Sequence, residues 1–413
     1  MSIPPVLIIG GGIIGLTLAQ ALRARSIPFE IYERDAHAAA RGPGWGLTIH
    51  WALAIFKHLV PGSVLKRLPD AMVDPDAVAR GEKGSFVFYD ARSGEALFTI
   101  PPSERLRLRR ESLRSILMPD IDIHWSKSFS HVSKSEDSGV VAHFNDGSTS
   151  VAGSIVVGCD GAHSRVRQLL TGDAAKCYQL PIRCLGATVI FSTTVAKAMR
   201  DLDPYFMQMG DRTQDVFVYF AFLDGPTNNT RDDKETRTCQ IFMSWPLRPE
   251  KGLGEAPETA AERVSLMKSL SSEWAEPFRG IIQAMPADTQ PVTLRLEDWL
   301  PQDWNTGDGS ATLAGDAFHA MTMYRGEAYN HGLKDLMGCV EKIEKIYKSG
   351  DEWHLQRQER IHEYEAEVRA RTHVAVLASR RACLDAHDQA ARLTDKSPLV
   401  AMRTMNVAEL GFE

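Results

Sequence analysis

Residues 6–15 read VLIIGGGIIG and lead into a run of helical character that ends near Ala24. Four apolar residues that favour a β-strand are followed by Gly10, Gly12 and Gly15, which are spaced as G-x-G-x-x-G. In such a turn the first glycine permits a sharp bend, the second lets the backbone approach a pyrophosphate, and the third lets the helix pack against the strand. The N–H groups at the start of the helix favour negative charge. The stretch therefore predicts a nucleotide-binding βαβ unit.

The next predicted strand ends in an acid. Residues 29–32 read FEIY and are followed by Glu33 and Arg34, which we place in the same nucleotide site. A carboxylate at this position can accept hydrogen bonds from ribose hydroxyls. The alternative, a glycine turn in an ordinary α/β unit, is disfavoured because strand, turn, helix, second strand and acid occur together.

The composition bounds the class of protein. At 413 residues the chain is long for one core, so two lobes are expected. A net charge of −6 without a basic tail disfavours nucleic acid as a partner. The six cysteines are scattered, and no His/Cys cluster has metal-ligand spacing, so reduced thiols and no metal site are expected. Without a signal-peptide pattern or an apolar run of about 20 residues, we expect a soluble cytoplasmic protein, as a monomer or a homodimer.

Changes in the strand and helix pattern along the chain predict an α/β fold with an inserted domain. Residues 154–158 and 311–314 read as buried strands of a parallel sheet. Between them, strands at 215–222 and 239–245 are separated by a polar loop and indicate a mixed sheet. Residues 351–381 are predicted to form a long charged helix that packs across the first lobe. The predicted organisation is a discontinuous dinucleotide-binding domain (1–174 and 296–381), an inserted substrate-binding mixed-sheet domain (175–295) and a C-terminal helical tail (382–413).

Residues 105–110 read RLRLRR. In a strand, Arg110 would share the inward face with Leu106 and Leu108. An inward arginine requires an anion or a polar ligand, so Arg110 is a candidate nucleotide contact. The remaining arginines of the run are predicted to form a solvated strand face: Arg105, Arg107 and Arg109.

Glycines also mark residues 41–46, which read RGPGWG. They suit a loop that passes close to a flat ligand, and Gly46 is its last glycine. Residues 47–60 are predicted to be helical after this loop.

Two further strand-end signals follow the glycine turn, Asp160-Gly161 and Gly315-Asp316. Residues 160–167, DGAHSRVR, keep the pattern D-G-x-x-S-x-x-R. With three motifs in this order, most of the chain resembles the flavoprotein monooxygenases that hydroxylate aromatic compounds, the family of para-hydroxybenzoate and salicylate hydroxylases. Residues 44–51 and 321–331 look most like fungal members that act in secondary metabolism.

This resemblance implies a Rossmann-type FAD-binding domain, with FAD as the bound cofactor and NAD(P)H as a transient reductant. O2 and an aromatic or electron-rich small molecule would be the other reactants, and a flavin C4a-hydroperoxide would deliver one oxygen atom. Asp316 matches the family's contact to the FAD ribityl chain, and the Asp160 motif would serve both nucleotides. Gly326 and Asn330 match the turn before a helix whose N-terminus faces the flavin, and we include Tyr329 in the FAD site.

One loop departs from the family's pattern. Ala320, Thr322 and Met323 stand where many members have prolines, and Ala328 stands where they have a second glycine. Proline fixes φ, so its absence predicts a mobile loop at 320–325 unless side chains hold it. We therefore expect a site that closes only with substrate bound and otherwise loses NADPH electrons to hydrogen peroxide.

Three candidates for substrate chemistry are Tyr219, His50 and Arg183. Tyr219 lies mid-strand at a place that resembles a tyrosine with which some family members polarise a phenol, and its hydroxyl could orient or help deprotonate a substrate oxygen. Those members also carry an arginine on the preceding strand, which residues 189–192 do not offer, so Arg183 is the substitute. Each candidate has a structural alternative: a sheet tyrosine, a partly buried histidine and a surface arginine.

Three functional hypotheses remain open. The first is monooxygenation of an aromatic or electron-rich small molecule. The second keeps the flavin but catalyses epoxidation, Baeyer–Villiger insertion or oxidative cyclisation. The third is a flavin-binding protein without turnover, which the intact motif at 160–167 disfavours.

Overall fold

A computed structural model describes residues 3–403 apart from 41, 43, 101–102, 136–137, 226–234 and 306. Most of the predicted polar loop and residues 404–413 of the predicted tail therefore lie outside the described residues. Within these limits the strands are β1 (Val6–Ile9), β2 (Phe29–Tyr32), β3 (Gly46–Ile49), β4 (Phe86–Asp90), β5 (Ala96–Ile100), β6 (Leu106–Arg109), β7 (Ile123–His124), β8 (Phe129–Lys134), β9 (Val140–Phe144), β10 (Ile155–Gly158), β11 (Tyr178–Ser192), β12 (Phe206–Asp211), β13 (Val216–Phe222), β14 (Thr236–Pro246), β15 (Val292–Asp298) and β16 (Ala311–Leu313).

The helices connect and cover these strands. In the same described ranges they are α1 (Ile13–Ala24), α2 (Leu53–Leu59), α3 (Gly62–Lys66), α4 (Leu68–Ala71), α5 (Pro75–Ala79), α6 (Arg110–Leu117), α7 (Arg165–Thr171), α8 (Thr193–Leu202), α9 (Ala260–Leu270), α10 (Phe278–Gln283), α11 (Asp316–His319), α12 (Ala328–Lys348), α13 (Trp353–Ala386) and α14 (Gln389–Arg392).

The first sheet is parallel and has the strand order β16-β10-β1-β2-β7. Strands β1 and β10 are buried along their whole length, as apolar parallel strands covered on both faces are. Ile9 pairs with Gly158, and Gly158 pairs with Leu313. The three motifs therefore leave the sheet at neighbouring strand ends, and the predicted Rossmann-type fold is confirmed.

The second sheet is mixed and has the order β15-β11-β14-β13-β12-β4-β5. All its pairs are antiparallel except β12 with β4. Strands β4 and β5 precede residue 175, so this sheet extends beyond the range of 175–295 that the sequence predicted. The local sequence pattern did not reveal that β4 and β5 belong to this sheet, because the strand that joins them to it, β12, lies far along the chain.

Two local predictions are wrong. Residues 46–49 form β3, which pairs with β6, and helix α2 begins only at Leu53 instead of at residue 47. Residues 46–49 form a strand because they pair with β6, a partner that the local sequence pattern does not reveal. In addition, β6 ends at Arg109 and α6 begins at Arg110, so strand alternation does not set the direction of Arg110.

Helix α13 joins the two sheets. It contains 34 residues and continues beyond the predicted end at residue 381. The Tyr364 hydroxyl donates to the Leu313 carbonyl at 2.7 Å beside the parallel sheet. Near the other end, Ser379 and Thr322 exchange hydrogen bonds of 2.7 and 2.9 Å. The helix therefore packs across the first lobe, as predicted, and also holds the loop that precedes α12.

Two expectations from composition concern cysteines and membranes. All six cysteines are free thiols, and five of them are buried, where a thiol packs as a small apolar group. No helix of the described ranges combines the length and the apolar character needed to cross a membrane.

Candidate active site

A cavity of about 420 Å³ lies between the two sheets. Its first side, here the nucleotide wall, consists of residues 12–14, 46–48, 110, 159, 161, 314, 316 and 326–329. Its second side, here the sheet wall, consists of Arg105, Arg107, Phe206, Gln208, Phe217, Tyr219, Gln240 and Phe242. The three strand-end motifs and an aromatic surface thus open into one space, which Met402 and Arg403 also line.

The glycine turn has the shape that a pyrophosphate requires. Gly10 has a φ of +113°, and a Cβ on Gly15 would collide with the Gly10 carbonyl. A Cβ on Gly12, in contrast, would meet no atom within 4 Å. The turn therefore leaves an open cradle at Gly12, beside the first N–H groups of α1. Contact of these glycines with the nucleotide stays a prediction.

Glu33 lies against the back of this turn. Its Oε2 accepts from the Gly11 N–H at 2.6 Å and its Oε1 accepts from the Asp35 N–H at 3.0 Å. The carboxylate is thus oriented by the backbone, as the position at the end of β2 predicts. Arg34 is exposed and does not line the cavity, so the structure gives it no place in the site.

The D-G-x-x-S-x-x-R motif is a structural clamp. Asp160 accepts from the Ser164 hydroxyl at 2.5 Å and from the Arg165 N–H at 2.7 Å. Ser164 caps α7, and the buried guanidinium of Arg167 donates to the carbonyls of Asp316 and Ala317 at 3.3 and 3.1 Å. The motif therefore ties α7 to the third motif. Asp160 itself does not line the cavity, although Cys159 and Gly161 on either side of it do, and its contact with both nucleotides stays a prediction.

Asp316 occupies the position that the resemblance implies. Its side chain is open to the cavity, although protein surrounds it and the burial raises its pKa. The turn before it is held by Asp335, which accepts from the Gly315 N–H at 2.8 Å, contacts His319 at 2.6 Å and accepts from Arg371 at 2.7 Å. Burial alone would raise the pKa of Asp335, but its contacts with His319 and Arg371 hold that pKa below its usual range.

Helix α12 begins at the cavity. Gly326 adopts a left-handed φ of +65°, and α12 starts at Ala328. The Tyr329 hydroxyl lies 3.1 Å from the Thr17 hydroxyl of α1, and Asn330 donates to the Thr48 carbonyl at 3.0 Å. These contacts fix the helix start against α1 and β3.

Side chains hold the loop before α12, which lacks the prolines of the family's pattern. Thr322 is bonded to Ser379, and the Tyr324 hydroxyl donates to Ser244 at 2.8 Å. Arg325 pairs with Glu327 at 2.5 Å. These contacts meet the condition under which the sequence predicted no mobile loop, and closure of the site on substrate stays a prediction.

His50 and Tyr219 both line the cavity, as candidates for substrate chemistry should. Burial lowers the pKa of His50 to about 4, so its imidazole is neutral near pH 7. Its Nε2 lies 3.4 Å from the Gly326 carbonyl, and its Nδ1 has no partner among the described residues. The Tyr219 ring lies 5.6 Å from Phe206 and 6.1 Å from Phe242, which makes the sheet wall a flat aromatic surface.

Arg183, the third candidate, lies outside the cavity. It lies on β11 and holds Glu255 through two hydrogen bonds of 2.5 and 2.6 Å. It does not line the cavity, because its strand position points to the side on which Glu255 lies. Its role matches the surface alternative.

The prediction of a solvated face for Arg105, Arg107 and Arg109 is wrong for Arg105 and Arg107. Strand alternation does separate these arginines from the buried leucines, but Arg105 and Arg107 line the cavity, whereas Arg109 lies outside it and donates to the Asp70 carbonyl. Arg107 is only 5% exposed, and its guanidinium lies 5.7 Å from the Tyr219 ring. A Cβ on Gly46 would collide with this guanidinium, so the glycine makes room for Arg107 as well as lining the cavity.

Three side chains that could bind a cation meet outside the cavity, although the sequence predicted no metal site. The ligand atoms of His163, Cys177 and Glu297 lie within 4.8 Å of one another. The Arg167 guanidinium, however, lies 3.3 Å from the Cys177 sulfur. A positive charge at this distance opposes a metal ion.

Comparisons with known proteins agree with this geometry. An FAD binding domain model matches residues 117–377, and an NAD(P)-binding Rossmann-like domain model matches residues 8–67. A "Probable FAD-dependent monooxygenase" of Arthroderma benhamiae is 46% identical over 97% of this chain and 96% of its own length. The FAD-dependent monooxygenase dbaB of Emericella nidulans is 39% identical over 80% of this chain and 84% of its own length.

Solved structures show the same fold at low identity. The 2,6-dihydroxypyridine-3-hydroxylase of Arthrobacter nicotinovorans aligns with a TM-score of 0.73 and 17% identity, covering 98% of both chains. Klebsiella pneumoniae HpxO, complexed with FAD and uric acid, aligns with a TM-score of 0.70 and 19% identity, covering 93% of this chain and 89% of its own. The predicted flavin cofactor and enzyme class are thereby confirmed: the chain belongs to the family of FAD-dependent, aromatic-hydroxylase-like flavoprotein monooxygenases.

Proposed function

We propose that this protein uses NAD(P)H and O2 to insert one oxygen atom into an aromatic or other electron-rich small molecule. The observation that carries the proposal is the cavity in which the nucleotide wall faces an aromatic sheet wall. Bound FAD would supply hydride acceptance and oxygen activation. The match of residues 8–67 to an NAD(P)-binding domain supports a nicotinamide reductant, and the resemblance to fungal members supports a role in secondary metabolism.

The nucleotide wall offers groups that fit FAD. The cradle at Gly12 suits the pyrophosphate, Glu33 suits a ribose, and the carboxylate of Asp316 suits the ribityl hydroxyls. Arg110 lies close enough to Asp316 to lower its pKa by its charge, and it would face the same ligand. We do not include Arg34 and Asp160 among the direct contacts, because neither lines the cavity.

The start of α12 would favour negative charge in the cavity. A helix carries partial positive charge at its N-terminus, and α12 begins at Ala328 on the nucleotide wall. Asn330 and Tyr329 hold this helix end in place through their bonds to Thr48 and Thr17. The chain thus supplies a fixed dipole without a charged side chain at that point.

On the sheet wall, Tyr219 would orient the substrate as a hydrogen-bond donor. Burial raises the pKa of its hydroxyl, so the phenol stays protonated and donates to a substrate oxygen. Phe206 and Phe242 beside it would stack on a flat ring and exclude water.

The test begins with the FAD-loaded protein under anaerobic conditions. We expect NADPH or NADH to bleach the flavin, faster in the presence of a suitable phenol, indole or polyketide. Admission of O2 should then yield a product that has gained one oxygen atom, as measured by mass spectrometry. A product that has lost two hydrogen atoms would indicate oxidative cyclisation. Flavin that no nicotinamide reduces with any candidate would indicate a binding protein without turnover.

Gly12→Val is the matched control. The valine side chain would enter the empty cradle, where a Cβ meets no protein atom, so the fold should persist while FAD is excluded. Oxygenation that survives in this colourless variant would show that the cradle does not hold the cofactor.

A further inference from the structure

The sheet wall carries a buried arginine whose charge the described protein does not neutralise. Arg107 is 5% exposed, and its Nε and Nη2 have no hydrogen-bond partner among the described residues. Its Nη1 makes one long contact of 3.4 Å to the Thr48 hydroxyl. Most buried guanidinium groups are fully hydrogen-bonded or paired, so these nitrogens require an explanation.

The surroundings of Arg107 compensate its charge only in part, through cation–π contacts with two aromatic rings. Its guanidinium lies 5.7 Å from the Tyr219 ring and 6.0 Å from the Phe206 ring. Arg105, a second cation, lies 5.2 Å from the Phe206 ring, and its Nη2 also lacks a partner among the described residues. Burial lowers the pKa of both guanidinium groups.

A structural role does not account for this arrangement. Burial of an unpaired charge destabilises a fold, whereas an apolar side chain of similar size would pack against Phe206 and Tyr219 without that cost. The glycine at position 46 also provides the room that the guanidinium occupies. Groups that lower stability in this way are typical of sites whose partner is a ligand.

We propose that Arg107, with Arg105 beside it, is a specificity-determining anion subsite that selects substrates carrying an oxyanion on a flat apolar ring. The inference rests on the proposed function and names its substrate class. The oxyanion is a carboxylate or a phenolate, both of which present the oxygens that a guanidinium fork binds. The ring lies against Tyr219, Phe206 and Phe242, so charge and aromatic surface are recognised together.

The position of the subsite separates it from the nucleotide phosphates. The pyrophosphate cradle is at Gly12 on the nucleotide wall, whereas Arg107 contacts aromatic rings of the mixed sheet. Arg107 on β6 would thus supply the positive charge near Tyr219 for which Arg183 on β11 is the candidate from the sequence.

The first test measures binding to the oxidised, FAD-loaded protein without NAD(P)H, so that its failure is distinct from a failure of the proposed reaction. Equilibrium dialysis compares 2-naphthoate with its neutral isostere 2-naphthamide. We expect naphthoate to bind at least about thirtyfold more tightly, the effect of one desolvated charge pair. Arg107→Met should abolish the preference. Arg109→Met is the matched control, because Arg109 lies on the same strand, outside the cavity, with its Nη2 on the Asp70 carbonyl.

The second arm distinguishes a phenolate from a carboxylate. 4-Nitrophenol should bind with its ionised form favoured, which the phenolate band in the difference spectrum reports. A naphthoate preference alone assigns a carboxylate, and nitrophenol ionisation alone assigns a phenolate; either result supports the subsite when Arg107→Met removes it. The proposal is overturned if the wild-type protein shows neither the naphthoate preference nor the nitrophenol ionisation. It is also overturned if either effect survives unchanged in Arg107→Met.

Thermal unfolding separates a binding role from a structural one. Removing an unpaired buried charge should leave the Tm of the ligand-free Arg107→Met protein unchanged or raise it. A lowered Tm would contradict the proposal. If Arg107→Met does not load FAD, Arg107→Lys and Arg105→Met provide the same comparison, and each should reduce the preference for the anion by a smaller factor.

Discussion

The two walls of the cavity treat their charged groups in opposite ways. On the nucleotide side, Arg167 is buried and donates to backbone carbonyls around two motifs, and Asp335 is bonded to His319 and Arg371. On the sheet side, Arg107 is equally buried, but two of its nitrogens have no partner among the described residues. The named charged groups on the nucleotide side are paired within the protein, whereas Arg107 on the sheet side is not fully paired among the described residues.

The strongest test of this difference compares the two buried arginines. Arg167→Met should destabilise the FAD-free protein by about 3 kcal/mol or more, because several carbonyls lose their donor. Arg107→Met should leave the free energy of unfolding of the FAD-free protein unchanged or raise it. Urea denaturation of the two variants measures both values, and equal losses would show that the walls do not differ.

The next effect concerns FAD affinity. Glu33→Gln should weaken FAD binding about ten- to a hundredfold, because an orienting, charge-assisted ribose contact is lost. Arg34→Ala, one residue along the chain and exposed, should bind FAD as the wild type does. Equilibrium dialysis gives both constants, and an unchanged affinity in the Glu33 variant would exclude the ribose contact.

Buried histidines give the protein a stability that depends on pH. Burial lowers the pKa of His50 from 6.5 to about 4, so the unfolded chain binds a proton in this interval and the folded chain does not. Stability should therefore fall as the pH falls from 6.5 towards 4. His50→Gln should reduce this fall, and His387 and His331, whose pKa values burial also lowers, should maintain the remainder. Urea midpoints across the interval measure the slope, and identical slopes would exclude His50 as a source.

The smallest expected effect is on coupling. Ala328→Gly should leave the ratio of product to hydrogen peroxide nearly unchanged, because Thr322, Tyr324 and Arg325 already hold the preceding loop. Thr322→Val removes the hydrogen bonds that the Thr322 hydroxyl makes to Ser379 and should release more peroxide. NADPH consumed, product formed and peroxide released are compared for one accepted substrate; a large change in the glycine variant would reinstate a mobile loop.

The walls also differ in how far the sequence predicts them. The glycine turn and the motifs at 160–167 and 315–316 are local patterns, and they meet because parallel strands end at one edge. The sheet wall depends on partners far apart in the chain. Alternation separates Arg107 from the leucines correctly, but it does not reveal that the second sheet covers that face.

The same limit explains the other differences between the sequence pattern and the structure. Arg183 is bound to Glu255, which lies 72 residues further along the chain. Strands β4 and β5 join the mixed sheet through β12, although they precede the predicted inserted domain. The motif aspartate at 160 was predicted from a pattern that identifies the right turn, but its hydrogen bonds show that the carboxylate serves helix α7.

The central claim, that one cavity places an oxyanionic ring beside the bound flavin, is tested most directly by the visible spectrum of the flavin. Titration of the oxidised, FAD-loaded protein with 2-naphthoate should shift the flavin absorption band, with a midpoint equal to the dissociation constant from dialysis. Arg107→Met should lose the shift at the same ligand concentrations, and Arg109→Met should keep it. Naphthoate binding that leaves the flavin spectrum unchanged, or a shift that persists in Arg107→Met, would contradict the account.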